Sequence, residues 1–89
     1  MIVTAIYPHG AIHEMEEVLE TDTLKDKLES TGELVESDEL VVRIVSGTCE
    51  MTGYGLTAMS PENIEAGYVY ADCAHAKTDC TILLRQSLP

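Results

Sequence analysis

Residues 39–47, "ELVVRIVSG", limit the fold more than any other stretch. Leu40, Val42 and Ile44 alternate with Val41, Arg43 and Val45, so an extended segment here is mostly apolar on both faces. Such a strand belongs inside a sheet or under cover on each side. A chain of 89 residues has room for one core to supply that cover, so 1–89 reads as a single compact domain. With no Phe and no Trp, the core must be filled by Ile, Leu, Val, Met and four tyrosines.

The other elements are arranged around this strand. "MIVTAIYP" is rich in β-branched residues and stops at Pro8, which predicts a first strand. In "HGAIHEMEEVLE", Ile12, Met15 and Leu19 recur at three- and four-residue spacing and predict an amphipathic helix. The phase is lost near Thr21–Thr23, because continuing the stripe would bury Asp22 and Asp26. The helix is therefore expected to break, with Thr21 or Asp22 capping a second short helix that buries Leu24 and Leu28. Gly32 would end that helix, "GELVE" would form a short extra strand, and Ser37-Asp38 would turn into the central strand. "TCEMTGYGLTAM" predicts another strand, bent at Gly53 and Gly55. "SPEN" is a helix start, with Ser60 as cap and Pro61 in the first turn. That helix either runs to Ala76 or stops at Gly67 and releases "YVYADC" as a strand. "CTILLRQ" (80–86) closes the chain as a strand.

With the longer second helix, the order is strand, helix, strand, strand, helix, strand. This predicts an α+β, ferredoxin-like (split βαβ) antiparallel sheet with helices on one face and the first helix broken near Thr21–Thr23. The alternative is a mixed sheet ending in a 68–86 hairpin.

Charge points to partners. Eleven acids between positions 14 and 39 face only Lys25 and Lys27, so this segment holds nine of the eleven net negative charges. Such a surface repels nucleic acid and anionic membranes and attracts a basic protein. The candidate docking residues are Glu14, Glu16, Glu17, Glu20, Asp22, Asp26 and Glu29. Surface acids also serve solubility alone, so this feature admits two explanations.

The chain has no run near the roughly 18 apolar residues of a membrane span and no signal-peptide pattern. Its cysteine count is odd. Together these lead us to expect a cytoplasmic protein, of a cell or an infected host, with reduced thiols.

Cys73, His75 and Cys80 crowd into "ADCAHAKTDC". In the split βαβ layout, His9, His13 and Cys49 would reach the same sheet edge, making a candidate site for zinc or another transition metal. C-x-H-x(4)-C is not a zinc-knuckle spacing, however, and free cysteine often serves as a small buried residue. A catalytic thiol at Cys73 or Cys80 with His75 and Asp79 lacks an oxyanion motif. "TGYGLT" lacks the lysine of a phosphate-binding loop, and the acids lack calcium-loop spacing.

No enzyme and no bound cofactor is therefore expected. The leading expectation is a small acidic interaction protein that docks on a basic surface of a larger protein. In its sharp form it is a phage- or mobile-element-type inhibitor of a nucleic-acid-binding complex. The alternatives are a metal-binding or metal-sensing domain and a homodimeric assembly subunit.

Overall fold

A computed structural model of the chain describes residues 1–30 and 41–84. The first strand, β1 (Val3–Ile6), turns at once into a second, β2 (Ile12–Met15). Gly10 donates its N–H to the Tyr7 carbonyl and Tyr7 donates to the Ala11 carbonyl, both at 2.9 Å, with Gly10 at φ +93°. That left-handed conformation is one glycine adopts without steric cost.

This hairpin replaces the helix expected over 9–20. Ile12 and Leu19, two of the three stripe residues, are exposed, while Met15 and Val18 are buried. Pairing Val3 with Met15 and Ala5 with His13 satisfies the backbone as an antiparallel ladder instead.

The chain next forms helix α1 (Leu24–Ser30), which buries Leu24 and Leu28 completely, as the apolar spacing predicts. Each buried leucine contributes roughly 2 kcal/mol of hydrophobic stabilisation. Its cap is Thr23, whose Oγ1 accepts the Asp26 N–H at 3.2 Å, not Thr21 or Asp22. The expectations for Gly32, for an extra strand at 32–36 and for a turn at Ser37-Asp38 lie outside the described residues.

The third strand, β3 (Val41–Ser46), is followed by β4 (Cys49–Met51), α2 (Gly55–Ala58), α3 (Pro61–Glu65), β5 (Tyr68–Tyr70), β6 (Ala74–Ala76) and β7 (Cys80–Leu83). The long strand expected from Thr48 stops at Met51 and gives way to a turn and the short α2. Ser60 caps α3 with its hydroxyl on the Asn63 N–H, and Pro61 stands in the first turn. Gly67, at φ +97°, ends that helix and releases β5, the second of the two readings of this region.

The architecture is α+β, with a five-stranded sheet ordered β2-β1-β7-β3-β5 and a separate β4-β6 pair. β7 runs parallel to β1, and the other pairings are antiparallel. The main sheet is thus mixed rather than wholly antiparallel. The 68–86 hairpin does not form, because β5 and β7 lie on opposite sides of β3 and β6 pairs with β4. β7 occupies the slot between the N-terminal hairpin and β3, so the end of the chain holds the sheet together.

As its two apolar faces demand, β3 is interior to the sheet. It is covered on one face only: Val42 is fully buried, whereas Val45 is 57% exposed. The register shifts between Ile44 and Ser46, which leaves Val45 outside the ladder with β7. The inner face presents Val3, Ala5, Val42, Val69, Cys80 and Ile82 to a core completed by Leu24, Leu28, Met51 and Met59.

Candidate functional site

The six Cys and His side chains proposed as metal ligands divide into separate places. His9 and His13 flank the Tyr7 ring at the β1–β2 turn, with centroids 5.7 and 5.1 Å away. His75 on β6 sets Nδ1 3.1 Å from the Asp22 carbonyl and Nε2 3.4 Å from Thr52 Oγ1. Cys73, just before β6, is buried with its thiol donating to the Tyr70 carbonyl at 3.6 Å. Cys49 and Cys80 alone come together, with Sγ atoms 3.4 Å apart. Among the described residues, no group of three or more His, Cys, Asp or Glu side chains could hold a metal ion. The expected gathering relied on a long second helix, and the hairpin and the β4–β6 pair send the ligands elsewhere.

Local structure builds the sulfur pair. Gly47, at φ +84°, turns β3 toward β4. A Cβ there would stand 2.2 Å from the Asp79 carbonyl oxygen and 2.6 Å from Cys80 Cβ, so only glycine permits this approach. Thr48 then ties the two segments. Its N–H donates to Thr78 Oγ1 at 3.0 Å, and its carbonyl accepts the Lys77 N–H at 2.9 Å. On the other side, Asp79 Oδ1 accepts the Ile2 N–H at 2.7 Å and Cys80 N–H donates to the Ile2 carbonyl at 3.1 Å.

Cys49, half-buried, and Cys80, buried, are therefore held face to face by hydrogen bonds on both flanks. The hydrogen bond between them acts in opposite senses on the two thiols. It lowers the pKa of Cys80 by stabilising its thiolate, against burial and the nearby Asp79 charge. The same bond raises the pKa of Cys49, and burial and the charge on Cys80 add to that rise.

The acidic candidates occupy β2, the connection after it, and α1. Glu14, Glu16, Glu17, Glu20, Asp26 and Glu29 are all exposed. Asp22 differs: it is half-buried and accepts the Leu19 N–H at 2.9 Å, with Lys27 Nζ 3.5 Å away. Those contacts, the Leu19 hydrogen bond foremost, hold its pKa below the ordinary carboxylate value. Asp22 therefore closes the turn before α1. Among the described residues, no ion pair engages the six exposed acids.

Two features escaped the sequence reading. Beside Cys49 an open apolar groove is lined by Ile44, Met51, Leu56, Ile64 and Val69. Its residues come from five elements, and only the 58% exposure of Leu56, an apolar residue in a helix of four, marks it. The second is a hydrogen bond from the Tyr54 hydroxyl to Asp72 Oδ2 at 2.5 Å, with the Tyr54 and Tyr70 rings 5.8 Å apart. Nothing in their sequence spacing announces it.

No helix among the described residues is long and apolar enough to cross a membrane. No protein-family model matches the chain, and no curated protein does. Solved structures share the fold. Two structures of pectocin M2 superpose with TM-scores of 0.67 and 0.64 at 20% and 22% identity, each covering 94% of this chain. A reductive activator for corrinoid, iron-sulfur protein superposes with a TM-score of 0.65 at 21% identity over 93% of this chain. The chain spans about a third of the pectocin M2 chain, 33% and 32% in the two structures, and 14% of the activator. At these identities the likeness establishes a shared fold, and this α+β unit occurs there as one part of a larger protein.

Proposed function

We propose that this domain is a non-enzymatic interaction module that docks its acidic β2–α1 region on a basic surface of a larger protein. The observation that carries the reading is the exposure of Glu14, Glu16, Glu17, Glu20, Asp26 and Glu29 in a segment with only two lysines. One of those lysines, Lys27, is already turned towards Asp22. A field of this kind accelerates encounter with a cationic partner and is screened by salt within about 10 Å at 0.1 M. A protein whose groove otherwise binds nucleic acid fits this chemistry, and an inhibitor acting by occupying such a groove is the specific form of the reading.

The test starts with capture from host lysate and continues with the purified captured protein. Its affinity should fall at least tenfold when Glu16, Glu17 and Glu20 are changed to Lys, and should fall with added salt. Equal affinity for both forms refutes the proposal.

A second reading, homodimeric assembly, is favoured by the outer sheet face. Ile12, Ile6, Leu83, Arg43 and Tyr68 stand in register across the five strands. Light scattering decides it: a monomer at high micromolar concentration removes this reading and leaves the acidic one intact.

A further inference from the structure

We propose that Cys49 and Cys80 form a redox-active dithiol that closes to a disulfide by exchange with a small-molecule disulfide such as oxidised glutathione. The two Sγ atoms already lie 3.4 Å apart, and a disulfide needs about 2.05 Å. Closing the remaining gap takes a small rotation of two side chains whose backbones are fixed relative to each other. Thr48 binds the strand of Cys49 to residues 77 and 78, and Gly47 packs directly against Asp79 and Cys80. The third cysteine is kept out, because Cys73 is buried with its thiol on the Tyr70 carbonyl.

The two thiols have distinct parts. Cys49 is the half-exposed member and opens on the apolar groove, so it meets the incoming disulfide. Cys49 gives up its thiol proton to solvent, and its sulfur attacks one sulfur of the small disulfide. That S–S bond breaks, the Cys49–ligand bond forms, and the first small thiolate leaves and takes up a proton. Cys80, giving up its proton, then attacks Cys49 Sγ and expels the second small thiolate, which is protonated in turn. The two protein thiols are oxidised by two electrons, the small disulfide is reduced to two thiols, and both hydrogens end on those products. Cys80, the buried member, suits the resolving step, which needs no access from solvent.

The experiment equilibrates the full chain with mixtures of reduced and oxidised glutathione, quenches with a thiol alkylator, and maps the products by mass spectrometry. Cleavage after Glu50 and after Lys77 places the three cysteines in separate peptides and makes the pairing unambiguous. The expected result is a protein lighter by two hydrogens, with Cys49 and Cys80 joined in one cross-linked peptide and Cys73 alkylated. Cys73→Ser should form the same bridge, and Cys49→Ser should form none. The proposal is overturned if all three thiols stay alkylatable in excess oxidised glutathione. It is equally overturned if a glutathione adduct persists on Cys49, or if the bridge includes Cys73.

Discussion

The acidic β2–α1 region and the sulfur seam between β4 and β7 are built by opposite means. In the first, six carboxylates point into solvent, and Asp22, which accepts the Leu19 N–H and faces Lys27, closes a local turn. In the second, residues far apart in sequence are clamped by backbone hydrogen bonds, and a glycine is required for them to approach. A surface of the first kind acts at a distance and tolerates substitution, whereas a site of the second kind acts by contact and is intolerant of added volume. If the comparison is right, the two regions should respond to different perturbations.

The largest effect is expected at the seam. Gly47→Ala places a methyl group 2.2 Å from the Asp79 carbonyl oxygen at a positive φ. Strain and overpacking together should cost about 3 kcal/mol, read as a lower urea midpoint with an unchanged slope. A loss below about 1 kcal/mol would mean that β4 moves freely relative to β7, and the clamp would fail as an account.

Oxidation comes next in size. A Cys49–Cys80 bond closes a loop with a sequence separation of 31, which chain entropy values at about 3.7 kcal/mol before the strain of the bridge in the native state is subtracted. The oxidised protein should therefore melt higher than the reduced one, and the gap should vanish in Cys49→Ser.

Acid provides a subtler probe of the other region. Asp22 has a folded pKa below its ordinary value of 3.8. Its stabilising contribution is complete above that value and is lost as pH falls through it into the folded range. Asp22→Asn should flatten this acid limb of the stability curve, while Asp26→Asn, at an exposed site, should leave it in place.

The smallest stability effect is expected from reversing Glu16, Glu17 and Glu20 to Lys. All three are exposed, and each should change stability by no more than about 0.5 kcal/mol. A collapse of the fold in this variant would erase the distinction between the two regions.

The sequence made legible what local chemistry decides. β1 ends before Pro8, Ser60 and Pro61 start α3, Leu24 and Leu28 mark the buried side of α1, and the two-faced β3 lies inside the sheet. The α+β class follows from those elements. The N-terminal hairpin was hidden by a coincidence of spacing, since Ile12, Met15 and Leu19 fit a helical stripe while only Met15 is buried. The decisive signal was the turn at Pro8–Gly10, where backbone hydrogen bonds fold the chain back on β1.

The parallel pairing of β1 with β7, and with it the Cys49–Cys80 contact, depends on tertiary packing across most of the chain, which no local periodicity reports. The crowding of Cys73, His75 and Cys80 in sequence misled for the same reason. Cys73 precedes β6, His75 lies within it and Cys80 begins β7, and the three side chains meet different neighbours.

The most direct test of the central claim is the affinity of the purified captured partner for the wild-type domain and for the Glu16→Lys, Glu17→Lys, Glu20→Lys variant, at low and at high salt. The account predicts at least a tenfold loss for the variant at low salt, a smaller gap at high salt, and unchanged folding by circular dichroism. Equal affinities at low salt, with both proteins folded, would contradict it.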